Sequence, residues 1–267
     1  MVLVLVLVGL GLGSNAQAGQ RAGESRAHWV ARQVQERDTG RDSRMTMRMT
    51  LVDRRGRTRE RALDFAALQG GRAAAGDRTL LHFTYPNDIR GTGFLVWEHP
   101  DAEDERFLYL PALGRVRRIA GSEAQESFVG SDFTYEDIGG RELDDYTYTL
   151  LDAHAVWTAP DGSRHPAWIL ESKSRAADAR FPRVVSTIRK DVPIAVRAEI
   201  YNRRNERQKT FEVRRIEKVG AYWTVMAMTM ADAVEGTRTD LVVEKAEYDV
   251  GLKPSDFTRA QLERGGR

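Results

Sequence analysis

Residues 44–53 read RMTMRMTLVD. Met45, Met47, Met49 and Leu51 fall on one side of an extended chain, and Thr46, Arg48 and Thr50 on the other. That is the period-two pattern of a strand with one face in a core. The same pattern recurs at 222–232, YWTVMAMTMAD, where Met226, Met228 and Met230 alternate with smaller or polar residues. Working outward, strands are predicted near 44–53, 58–66, 79–85, 93–98, 106–110, 148–153, 167–174, 183–190, 194–203, 209–218, 222–231 and 240–248. Turn signals such as Pro86-Asn87, Asp161-Gly162 and Glu235-Gly236 join them. Links this short favour antiparallel neighbours, because parallel strands need long crossovers. The class is therefore mainly β, a single antiparallel sheet of about 11–12 strands. So long a twisted layer closes into a barrel, stacks as a sandwich, or curls around something.

Helices are few. ESRAHWVARQVQER (24–37) is amphipathic, with Trp29 and Val30 beside Val34, and Ser255 or Asp256 is placed to cap a short helix after Pro254. The stretch FLYLPALGRVRRIAGSEAQESFVGSDFTYEDI (107–138) is mixed. Phe107–Leu110 complete a strand that ends at Pro111, which has no N–H for a ladder. Val116 and Ile119 alternate imperfectly with Arg115, Arg117 and Arg118, which suits a further short strand. Gly121, Ser122, Gly130 and Ser131 then interrupt regular structure around Phe128, Phe133 and Tyr135, residues suited to tucking under the sheet or covering it. A pairing of Arg117 or Arg118 with Glu136 or Asp137 is one way to fasten such a cover.

The first eighteen residues, MVLVLVLVGLGLGSNAQA, are an apolar run followed by the small-x-small site Ala16-Gln17-Ala18, which predicts a cleaved secretory leader and a mature start at Gly19. The run is shorter than the roughly 20 residues that span a bilayer, and no Cys follows it for lipid attachment. What remains, 19–267, reads as one domain, exported and soluble.

Cys is absent from the 267 residues, so disulfides, thiolate metal sites and a Cys nucleophile are excluded and stability rests on a large core. The 41 basic and 39 acidic residues are interspersed, which leaves no electrostatic footprint for nucleic acid. His28, His82, His99, His154 and His165 are scattered without a His-Glu-x-x-His arrangement, and there is no Gly-x-Ser-x-Gly elbow. The run Asp101, Glu103, Asp104, Glu105 departs from the twelve-residue calcium loop and suits a solvated hairpin tip. Neither a metal nor a nucleotide cofactor is indicated, and an enzyme is not expected. Methionine is flexible and polarizable, so the two methionine rows suit either an ordinary core or a cavity for varied apolar guests. Periodicity does not distinguish the two.

The block LYLPALGRVRRIAGSEAQESFVGSDFTYEDI, preceded by GTGFLVWEHP and followed by a strand-rich half ending in VGLKPSDFT, resembles the outer membrane lipoprotein-sorting proteins, a family similar in fold to the carrier LolA and the receptor LolB. The resemblance spans roughly Trp29 to Phe257. It implies an incomplete, half-barrel sheet whose concave face is covered by a few short helices and holds acyl chains, in a monomeric periplasmic carrier of lipid or lipoprotein. Under it, Met45, Met47, Met49, Phe94, Val96, Met226 and Met228, with Phe128 and Phe133, are the expected acyl contacts. Arg115, Arg117 and Arg118 are the expected docking residues for an inner-membrane exporter or an outer-membrane acceptor. The other reading is a non-enzymatic accessory protein of an exporter.

Overall fold

A computed structural model describes residues 19–70, 76–99 and 102–265. The expected leader and its cleavage site, within residues 1–18, lie outside the described residues. Thirteen strands form one sheet: β1 (Asp42–Val52), β2 (Thr58–Leu68), β3 (Arg78–Tyr85), β4 (Gly93–Trp97), β5 (Glu105–Leu110), β6 (Arg115–Ile119), β7 (Tyr146–Thr158), β8 (Arg164–Ser174), β9 (Arg183–Arg189), β10 (Ala195–Tyr201), β11 (Arg207–Val219), β12 (Tyr222–Asp232) and β13 (Thr237–Tyr248). Their order, β6-β5-β4-β3-β2-β1-β13-β12-β11-β10-β9-β8-β7, joins two meanders through the β1–β13 pair and leaves β6 and β7 as open edges. Every pairing is antiparallel, as the short links require. The strand beyond the expected twelve is β6, the arginine-rich run whose alternation was imperfect.

Register explains the core. Met45 lies opposite Phe65, Phe65 opposite Leu81, Leu81 opposite Phe94, and Phe94 opposite Leu108, so one apolar row crosses β1 to β5. On the other side of β1, Met49 faces Leu241, which faces Met228. All of these side chains are buried in one cluster on the concave face. The methionine face therefore points inward and Arg48 outward, as the alternation predicts; a one-residue slip would have inverted both. Outside, Arg48 pairs with Glu60 at 3.4 Å and Glu244 at 2.7 Å, and Arg197 with Glu212 at 3.1 Å. Such exposed pairs contribute little each, but they account for the balanced, interspersed charge.

Three short helices complete the fold. α1 (Arg26–Gln35) is capped by the Ser25 hydroxyl, which accepts from the His28 N–H at 3.1 Å. Its Trp29 meets Trp168 edge-on at 5.4 Å, and Val30 and Val34 pack with Leu170 and Ile188, so α1 covers the β7–β9 end of the concave face. Arg32 is buried within α1 and held at 2.7 Å by both Glu24 and Glu36. α2 (Tyr135–Gly139) belongs to the connection between the two sheet edges. α3 (Arg259–Arg264) lies on the opposite face, where Leu262 packs with Leu95 and Phe107. Its cap is Thr258, which accepts from the Gln261 N–H at 3.2 Å. Ser255 and Asp256, the expected caps, instead sit in a 3-10 turn begun by Pro254, and the helix starts after it at the Thr258 cap. Among the described residues no helix is long and apolar enough to cross a membrane.

Candidate functional site

The sheet closes over itself by a loop rather than by more strands. Residues 120–145 leave edge β6, cross the concave face and enter edge β7. The tip turns on Val129 (φ 48°) and Gly130 (φ 74°), left-handed geometry that a glycine adopts without strain. Across the tip the Phe128 N–H donates to the Phe133 carbonyl at 2.8 Å and the Ser127 hydroxyl to the Ser131 carbonyl at 2.6 Å. This hairpin drives Phe128 and Phe133, both with no exposed surface, into the concave face. The Phe128 ring lies 5.8 Å from Phe83 and 5.5 Å from both Phe94 and Tyr135. α2 follows, with Thr134 and Asp137 exchanging side-chain to backbone bonds at 3.0 and 2.9 Å in a capping box, and it adds Tyr135 and Ile138 to the same cluster.

The lid is fastened by polar ties at its rim. Asp132 accepts at its carboxylate from the Thr237 hydroxyl and, at 2.6 Å, from Thr239; its N–H donates back to Thr239 at 2.9 Å. Its carbonyl accepts from the buried Lys209 ammonium at 2.6 Å, whose pKa burial lowers. Arg61 donates to the Val129 carbonyl at 2.6 Å. The Gln125 amide oxygen accepts from the N–H groups of Arg180 and Phe181 at 2.6 and 3.2 Å. These ties join the lid to β2, β11, β13 and the β8–β9 connection.

Met45, Met47, Met49, Phe94, Val96, Met226, Met228, Phe128 and Phe133 all lie in the one concave-face cluster, with Met47 only 1% exposed. The apolar face is thus filled by the chain's own lid. Arg115, Arg117 and Arg118 are exposed on edge strand β6, where alternation turns Arg118 to the face opposite Arg115 and Arg117. The expected pairing of Arg117 or Arg118 with Glu136 or Asp137 is not made. Arg117 binds Glu123 at 3.0 Å, and both acids turn inward to the buried Arg141, at 3.1 Å each. Asp132, Lys209 and Arg61 were not legible as site residues; the one signal for Asp132 was an acid set between the serine and the phenylalanine that shape the tip.

Beside the lid a polar cleft of roughly 1020 Å³ opens between the sheet edges. One wall comes from the β4–β5 connection and the lid's exit, with Glu103, Asp104, Glu142 and Asp145 around Arg106, which donates to Asp104 at 2.8 Å. The other comes from the β8–β9 and β10–β11 connections and carries Arg175, Arg180, Arg203 and Arg204. Loss of hydration in the cleft, reinforced by Asp104 and Asp145, pushes the Glu142 carboxyl up to about 7. Desolvation likewise raises Asp104, Asp145 and, well above its ordinary value, Glu98. A carboxyl raised on folding holds a proton that the unfolded chain has released, so its contribution to stability is complete below about pH 4.5 and is lost as pH rises through about 7. His82, whose pKa burial lowers, acts in the opposite sense as pH falls. Urea titrations of wild type and Glu142→Gln across about pH 5–8 should therefore show the wild type losing stability relative to the variant as pH rises; parallel profiles would contradict this. Among the described residues no group of three or more His, Cys, Asp or Glu is arranged to hold a metal ion.

A family model described as "Uncharacterized protein" matches residues 75–264. No curated protein matches the chain. Among solved structures, a domain named for outer membrane lipoprotein sorting, from Vibrio parahaemolyticus, is 28% identical over 90% of this chain and 99% of its own, with a TM-score of 0.79. A DUF1329 family protein from Desulfovibrio piger is 30% identical over 88% of this chain and 97% of its own, with a TM-score of 0.78. A LolA superfamily protein from Nitrosomonas europaea, at 14% identity and a TM-score of 0.67 over 88% of this chain and 98% of its own, shares the fold. The identity to the DUF1329 protein over nearly the whole of both chains places the protein in the DUF1329 family, on the LolA-like fold.

Proposed function

We propose that the protein is a non-enzymatic carrier that works in the periplasm, takes up lipid or the acyl chains of a lipoprotein on its concave face, and passes them towards the outer membrane. One observation carries this reading: the largest apolar face of the sheet is covered by a short, strand-free segment tied down by polar contacts, not by a second packed layer. Displacing the lid removes four large side chains, Phe128, Phe133, Tyr135 and Ile138, from that face. Burial stabilises each by about 1.5–3 kcal/mol, while an acyl chain of about sixteen methylenes gains about 0.8 kcal/mol for each one buried. The exchange is near balance, as reversible loading requires. The methionine rows suit it, since flexible thioethers adapt to a guest as readily as to the lid. The names of the relatives point the same way.

Native mass spectrometry of protein purified from cells, with extraction and identification of bound lipid, tests the proposal. A co-purifying acyl lipid, and displacement of a fluorescent fatty-acyl probe by it, is the expected result. Protein free of lipid that also fails to retain the probe would reject the carrier and leave the accessory-protein reading.

A further inference from the structure

The cleft beside the lid separates its charges. On the arginine wall, Arg175, Arg180, Arg203 and Arg204 outnumber the acids among them, Asp178 and Glu126. On the facing wall five carboxylates, Glu103, Asp104, Glu136, Glu142 and Asp145, stand against two guanidiniums, Arg106 and Arg141. Three buried groups on the cleft's lining have polar atoms without hydrogen-bond partners: the Arg106 Nε and the Arg141 Nε, both donors, and the Glu136 Oε2, an acceptor. All three residues are more than nine-tenths buried. Leaving buried donors and acceptors unpaired is costly, and the acidic wall is under-neutralised, as the raised Glu142 carboxyl also shows. A purely anionic ligand would answer the arginines and aggravate the carboxylates; a purely cationic one would do the reverse.

We infer that this cleft binds a zwitterionic head group carrying a phosphate and a primary ammonium, of the phosphoethanolamine type, with the phosphate towards Arg175 and Arg204 and the ammonium towards Glu142 and Asp145. The inference rests on the carrier reading and adds to it. The lid segment contributes Gly121, Ala124 and Glu136 to the cleft and Phe128 and Phe133 to the apolar face, so a lipid whose chains displace the lid has its head group beside the cleft. The acidic wall then selects among lipids that carry identical chains.

The test offers the protein vesicles with equal parts of phosphatidylethanolamine, phosphatidylglycerol and diacylglycerol of one acyl composition, and identifies the lipids recovered with it. Phosphatidylethanolamine should be enriched about tenfold over phosphatidylglycerol, the scale of one charge-assisted hydrogen bond. The double variant Glu142→Gln, Asp145→Asn, at positions outside the three apolar clusters, should erase that preference while still taking up lipid. Arg175→Gln with Arg204→Gln should erase the preference for phosphatidylglycerol over diacylglycerol and weaken that for phosphatidylethanolamine. Recovery in vesicle proportions would overturn the head-group assignment and leave the carrier standing, and enrichment of phosphatidylglycerol would overturn it in favour of an anion site. If no lipid is recovered, calorimetry with soluble glycerophosphoethanolamine and glycerophosphoglycerol separates the two claims. Selective binding of the former supports the cleft assignment while the carrier reading falls, and binding of neither overturns both.

Discussion

Phe128→Ala is expected to open the lid while the sheet stays folded. Phe128 is fully buried against Phe83, Phe94 and Tyr135, and truncating such a phenylalanine costs about 3–5 kcal/mol where the surroundings are rigid. A lid held by a handful of contacts cannot absorb the whole of that loss; once it detaches, the remaining sheet is indifferent to the residue at 128. Global stability to urea should therefore fall by less than the rigid-core figure. Amide protection should be lost selectively at 121–139, and an apolar dye or acyl probe should bind more strongly than to wild type. This is local opening of a unit less stable than the whole. A drop of the full 3–5 kcal/mol, with lid and sheet amides exchanging together and no gain in dye binding, would mean that the lid is an integral part of a solid core.

The fold was legible because one face of each central strand is buried and the other is wet. Met45, Met47 and Met49 against Arg48, and Met226 and Met228 in the second row, set the inward face without help from distant residues. β6 was harder, because an edge strand with Arg115, Arg117 and Arg118 has little apolar contrast between its sides and declares itself only by pairing with β5. The lid was visible as an interruption, its Gly and Ser residues breaking any period, and Phe128 and Phe133 marked it as something to be buried. Its fastening was not visible. Asp132 meets Thr237 and Thr239 across 105 and 107 residues of chain, and Lys209 across 77, so those contacts exist only once the sheet has brought β11 and β13 beside the loop.

The polar cleft lay further out of reach for the same reason. Its two walls come from connections on opposite halves of the chain, and each alone looks like a solvated charge run, as the stretch 101–105 did. Only the curl of the sheet, which brings edge β6 towards edge β7 through residues 120–145, turns two ordinary hairpin tips into facing surfaces of opposite charge. The one local clue, Glu136 followed by Asp137, pointed to the nearby β6 arginines, whereas the structure satisfies both acids from Arg141 inside the fold.

The claim that acyl chains and lid compete for one face is tested most directly by tying the lid shut. The chain has no cysteine, so Asp132→Cys with Thr239→Cys introduces a single possible disulfide at a point where the lid and β13 already touch at 2.9 Å. Retention of a fluorescent fatty-acyl probe is then measured for the double variant oxidised and reduced. The account predicts that the oxidised protein retains no probe and that reduction restores uptake. Equal retention in the two states, with the disulfide confirmed by mass, would place the acyl chain elsewhere and contradict the account.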